Sequence, residues 1–169
     1  RHNLGFHWVD RVAETHRLSL NYNKKFFGDI GKLNLVDSEI WLLKPGTYMN
    51  RSGESVVAMA KFFGIGIDQI LIIHDELDLQ PGIVKLKKGG GSAGHNGIKN
   101  IIHHCGDSDF WRLRLGIGRP KDGKEVSNYV LKRPVLDQRL SIQKAIEKSV
   151  KIFPNLVSGD FEQAKAELH

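Results

Sequence analysis

The sequence predicts an α/β fold: a single domain over residues 1–169, with a mixed, mostly parallel, twisted sheet flanked by helices on both faces. Three observations predict it. Segments with apolar residues at helical spacing alternate along the chain with segments of strand character. One of the latter, Ile70-Leu71-Ile72-Ile73, is the unbroken apolar run expected of a strand covered on both sides. Two further β-leaning runs meet at Asp37-Ser38, which predicts a hairpin and so adds antiparallel strands.

Each element follows in order. Phe6, Val9, Val12, Ala13 and Leu18 form a near-helical stripe between Leu4 and Leu18. The hairpin arms end in Asn34-Leu35 and restart at Glu39-Ile40-Trp41. A second helix is expected from Thr47, as its N-cap, to Phe63, with Val56, Met59, Ala60 and Phe63 inward. The apolar run at 70–73 leads into His74-Asp75-Glu76-Leu77-Asp78, and Ile83 to Lys88 alternates like a half-exposed strand. A glycine cluster precedes a helix over His95 to His104, with Ile98, Ile101 and Ile102 inward. Arg112 to Gly118 is a further strand, Pro134 to Phe153 a long amphipathic helix, and Asp160 to Leu168 a short one. Pro120 to Val130, rich in polar residues and glycine, reads as a mobile excursion.

Composition narrows the function classes. A chain of 169 residues buries a core without covalent staples. Cys105 is the one cysteine, which excludes an intrachain disulfide and points to a reducing compartment. No apolar stretch reaches the roughly 18 residues of a membrane span. The net charge of +6 fits either surface lysines or a polyanionic partner. Position decides between these: Lys85 and Lys87 share one face of a strand, Arg112 and Arg114 one face of another, and a glycine loop lies between them in sequence. Two such strands favour a phosphate-binding patch.

The segment 74–78 follows an apolar strand, where open α/β sheets place their ligand crevice. Its residues suit metal-free catalysis, a metal site, or a polar loop that caps the next turn. No His-x-x-x-His or cysteine ligand pattern accompanies them. Gly89, Gly91 and Gly94 fit a dinucleotide fingerprint by spacing, but not in the first βα unit of such a fold. Gly118 to Lys124 resembles a P-loop, with Glu125 where a Ser or Thr would hold magnesium. Both nucleotide readings fail. A glycine rim remains, ending in His95-Asn96, whose side chains can hydrogen-bond a substrate.

Five segments occur together and in order: Arg1-His2-Asn3, Lys44-Pro45-Gly46-Thr47-Tyr48-Met49-Asn50, 74–78, Gly89 to Asn96, and Arg112-Leu113-Arg114-Leu115-Gly116-Ile117-Gly118. This series closely resembles the bacterial-type peptidyl-tRNA hydrolases. The resemblance implies a metal- and cofactor-free, cytoplasmic, monomeric enzyme of translation and ribosome rescue. It would cleave the ester between a peptide and the 3′ ribose of tRNA, binding the acceptor stem and 3′ end. By motif, His2 is implied as the general base and Asp75 as its carboxylate partner. Asn50 and Asn96 are implied to bind the substrate end and place the water, Tyr48 and Met49 to form the cleft wall, and His95 its rim. Lys85, Lys87 and Arg114 match positions associated with tRNA phosphate. Family members have a strand and an Asn-Pro-Gly loop upstream of Arg-His-Asn, so the resemblance implies an N-terminally truncated chain whose first strand is missing. Two rivals stand beside this reading: a non-catalytic RNA-binding module, and a metal-dependent hydrolase built on Asp75, Glu76 and Asp78.

Overall fold

The computed structural model describes residues 3–35, 37–46, 51–120, 126–131 and 134–169. Its elements, in chain order, are α1 (Leu4–Thr15), β1 (Asn21–Asn23), β2 (Gly28–Leu35), β3 (Ser38–Pro45), α2 (Ser52–Phe63), β4 (Leu71–Glu76), β5 (Val84–Lys88), α3 (Asn96–Cys105), β6 (Trp111–Gly116), α4 (Val126–Leu131), α5 (Leu136–Val150), α6 (Phe153–Val157) and α7 (Phe161–Leu168). The chain is therefore a mixed α/β fold. It forms two compact units: residues 1–11, 72–87 and 112–169 make the first, and residues 12–71 and 88–111 the second.

The second unit holds the predicted hairpin. β2 and β3 pair antiparallel from Gly28 opposite Pro45 to Leu35 opposite Ser38, and β1 adds to the other edge of β2. β1 escaped the sequence reading because Asn-Tyr-Asn has no apolar alternation. Aromatic rings knit this unit: Trp41 stacks on Phe63 at 3.9 Å between centroids, and Phe26 lies 5.5 Å from the same ring. The helix α2 starts later than predicted, and Thr47 lies outside the described residues. Arg51 stands at the N-cap position but its side chain caps nothing. The orphan N–H groups of a helix start need acceptors, and α3 supplies one: Gly53 N–H donates to Asn100 Oδ1 at 2.6 Å. A β-carbon on Gly53 would collide with the Asn100 backbone, so the two helices meet through a residue that has none.

The first unit contains nearly all of a three-stranded sheet in the order β4-β6-β5. Trp111 N–H donates to Ile70 O and Ile117 N–H to Glu76 O, advancing together along both strands, so β4 and β6 run parallel. Gly116 N–H to Ile83 O and Gly89 N–H to Phe110 O advance in opposite senses, so β5 and β6 are antiparallel. Among the described strands, antiparallel pairings thus outnumber parallel ones. The mixed character expected of the sheet holds, and its mostly parallel character is corrected. The hairpin strands and β5 account for the difference, since each pairs antiparallel with its neighbour.

α1 packs on β4 with its first turn. A β-carbon on Gly5 would overlap the carbonyl of Ile73, so helix and strand backbones touch there. One turn later the Trp8 indole N–H donates to Ser149 Oγ at 2.9 Å, and the Trp8 ring meets Phe153 edge-on at 6.1 Å. The predicted long helix over 134–153 is α5, and a further short helix, α6, follows it from Phe153. α7 begins as predicted, with Asp160 Oδ1 accepting from Gln163 N–H at 3.3 Å. Within the excursion at 120–130, residues 121–125 lie outside the described residues. The remainder is helical and anchored, since Tyr129 donates from its hydroxyl to Ile117 O at 2.5 Å and Val130 is buried.

Candidate active site

The burial of β4 inverts the sequence expectation. Leu71, Ile72 and Ile73 are half-buried, whereas His74, Asp75 and Glu76 are 6%, 3% and 5% exposed. The polar triplet is the last half of the strand, not a loop after it. Burying two carboxylates is costly unless each is matched by partners, which makes this strand end a candidate site. Side chains alternate across a sheet. His74 and Glu76 therefore share one face and Asp75 takes the other.

The ladder fixes what lies beside each. The antiparallel register sets Lys85 directly opposite Arg114 and Lys87 opposite Arg112, all four on one face. The parallel register brings His74 alongside Arg114 on that same face. Arg114 Nη1 lies 3.7 Å from Glu76 Oε1, which confirms the assignment. Lys85 and Lys87 are exposed, as predicted. Arg112 is not: it is 3% exposed, and its guanidinium is pushed below the ordinary arginine value by burial, then by Arg114, with Glu76 pulling the other way. His74 Nδ1 donates to the Asp75 carbonyl at 2.8 Å, which fixes its tautomer.

Asp78, unlike the residues before it, is exposed. Both Arg119 Nε and Nη2 donate to its Oδ1, at 2.8 and 2.5 Å. With Asp75 and Glu76 on opposite faces and Asp78 engaged by an arginine, these three carboxylates do not converge as a metal's donors. Among the described residues no group of three or more His, Cys, Asp or Glu is placed to hold one.

In the second unit, His95 is the N-cap of α3, its Nδ1 accepting from Ile98 N–H at 3.1 Å. An acceptor Nδ1 belongs to the neutral ring protonated on Nε2. The expectation of a freely presented rim side chain is thus sharpened: His95 is buried and its Nδ1 is committed to the start of α3. Asn96 beside it is exposed. Cys105 has its thiol pushed up by burial and then by Asp107, which disfavours the thiolate that a nucleophile needs. The predicted residues His2, Tyr48, Met49 and Asn50 lie outside the described residues.

Sequence reasoning missed the partnership of Glu76 with Arg114 and the burial of Arg112. The signal was present in the alternation of 74–76, had the triplet been read as strand.

Residues 1–169 match the family model described as peptidyl-tRNA hydrolase. The chain belongs to the peptidyl-tRNA hydrolase family. Relatives named peptidyl-tRNA hydrolase include that of Nitrosomonas europaea, 46% identical over the whole of this chain and 87% of its own length. That of Methylobacillus flagellatus is 49% identical over the whole chain and 88% of its length. Among solved structures, the crystal structure of peptidyl-tRNA hydrolase from Acinetobacter baumannii superposes with a TM-score of 0.95 at 41% identity, covering 99% of this chain and 85% of that one. The buried Asp75 and the arginines of β6 lie in segments that carried the resemblance to peptidyl-tRNA hydrolases.

Proposed function

We propose that this chain hydrolyses the ester joining a peptide to the 3′ ribose of tRNA, freeing the tRNA for reuse in translation, with His2 as general base. One observation carries the activity: the likeness to peptidyl-tRNA hydrolases runs through residues 1–169 rather than through a fragment. The contact of Gly5 with Ile73 supports the role of His2. It sets the first turn of α1, which follows His2 in sequence, against the strand that carries Asp75 two residues further on.

In this reading the neutral imidazole of His2 takes a proton from water as the water oxygen attacks the ester carbonyl. Asp75 orients the ring and steadies the imidazolium. Asn50 and Asn96 place the water and stabilise the developing oxyanion by hydrogen bonding. The tetrahedral intermediate collapses with cleavage of the bond to the ribose 3′ oxygen, which receives the proton back. Tyr48 and Met49 wall the cleft, His95 Nε2–H lies at its rim, and Lys85, Lys87 and Arg114 receive phosphates of the acceptor stem.

The single domain expected over 1–169 belongs to this proposal: α1, β4 and β6 each continue from one compact unit into the other, so neither unit is a separable stretch of sequence. No described helix is long and apolar enough to cross a membrane, and a cytoplasmic monomer is proposed with the activity.

The test is incubation with an N-blocked aminoacyl-tRNA and detection of released tRNA. His2→Ala lowers turnover by about 10²–10⁴-fold while tRNA binding persists. Full activity in that variant removes His2 from the mechanism, and tRNA binding without hydrolysis by the wild-type chain favours the non-catalytic RNA-binding module.

A further inference from the structure

The cationic face holds an electrostatic conflict. Lys85 stands directly opposite Arg114, and Lys87 opposite Arg112. Like charges in directly opposed sheet positions repel at about 5 Å and destabilise the pairing. Arg114 is largely buried, with a side-chain exposure of 20%, and its Nε finds no hydrogen-bond acceptor among the described residues. Such a guanidinium is poorly solvated and stands beside cationic neighbours. Glu76, with a side-chain exposure of 7%, lies on the other side of Arg114, 3.7 Å from Nη1. Its carboxylate is also the anion that offsets the repulsion felt by Arg112.

We propose that Glu76 is a positioning residue for substrate binding: it holds the Arg114 guanidinium against β4, so that the outward edge of that guanidinium is preset to receive an RNA phosphate beside Lys85. The two adjacent carboxylates of β4 thereby divide the work. Asp75 serves the hydrolytic side of the strand, and Glu76, on the opposite face, serves the polyanion. The inference rests on the reading of Lys85, Lys87 and Arg114 as phosphate-binding residues.

A carboxylate next to a phosphate site invites the opposite expectation, that it merely repels the substrate, and the two make opposite predictions. Glu76→Gln keeps the shape and removes the charge. Measured on N-acetyl-aminoacyl-tRNA, it raises KM roughly 3- to 10-fold, the scale of one partly exposed charge pair, with kcat changed less than twofold. The salt dependence of tRNA binding falls by about one counterion, the loss of one phosphate contact. Glu76→Asp, which retains the charge, recovers part of the loss. A KM that falls in Glu76→Gln overturns the proposal, because the carboxylate then acts only as a repulsive charge.

Arg114→Ala separates the two layers of the inference. If it raises KM and Glu76→Gln adds nothing in its background, Glu76 acts through Arg114. If the two effects add, Glu76 acts independently and the positioning role fails, while the phosphate reading stands. If Arg114→Ala leaves KM and the salt dependence unchanged, the phosphate reading itself fails. Melting curves accompany each variant. Should Glu76→Gln not fold, Glu76→Asp carries the same cycle: additivity with Arg114→Ala overturns the proposal and non-additivity supports it.

Discussion

The two sheets obey different rules. In the hairpin sheet, Gly31, Leu33 and Leu42 are buried while Lys32, Asn34 and Glu39 are exposed, so polar residues stay outside and apolar ones inside. In the sheet β4-β6-β5 the most buried end of β4 is His-Asp-Glu, and the central strand buries Arg112. The first pattern maximises stability. The second sacrifices some of it, since ionised groups withdrawn from water recover their solvation only in part. Local sequence rules are expected to fail where a fold serves chemistry, and here they fail along one strand and its neighbour.

Three substitutions sharpen that contrast. The largest effect is on turnover. Asp75→Asn leaves the imidazole without its anionic partner and lowers kcat roughly 10²-fold, less than the loss of His2 itself; an unchanged kcat with N-blocked aminoacyl-tRNA contradicts the orienting role. In the hairpin sheet the reverse holds. Leu33→Ala removes a buried side chain from β2 and costs about 2–5 kcal/mol of stability, read by denaturant unfolding, while kcat well below the melting temperature stays within twofold. A large loss of kcat in folded Leu33→Ala would mean that the two sheets do not divide function and stability in this way.

The smallest effect is a pH dependence. Leu86 N–H donates to His169 Nε2 at 3.3 Å, and the imidazole is pushed below its usual value by burial, then by Lys85, Lys165 and Arg114. A histidine whose folded pKa is depressed contributes stability above its unfolded value, near 6.5, and loses it as pH falls through the lower folded value. The melting temperature of the wild-type chain therefore drops more between pH 7.5 and 5.5 than that of His169→Gln. Parallel curves would show that the ring does not titrate against this cationic cluster.

Much of this was legible in the sequence, and the boundary of legibility is physical. The hairpin, the alternation of β5 and the start of α7 depend on neighbours a few residues away, and periodicity with turn chemistry found them. The start of α2 depends on Asn100, and the role of Glu76 depends on which strands flank β4. Neither is encoded locally. Lys85 and Lys87 were correctly read as sharing an exposed face because β5 alternates, yet the same i, i+2 spacing gave no warning that Arg112 is buried in the central strand. His95 was noticed for the right reason, its place at a loop–helix junction, but the same place makes its Nδ1 a helix cap. For His2, Tyr48, Met49 and Asn50 the motif resemblance remains the basis of assignment.

The Trp8–Ser149 hydrogen bond spans 141 residues. At roughly 5–20 residues per second, a ribosome needs about 7–28 s between making one partner and the other. Throughout that interval the first helix has a large indole with nowhere to dock, and contacts of such sequence separation slow folding once the chain is complete. The helix α1, which opens just after the proposed base, is therefore completed only once α5 has been made.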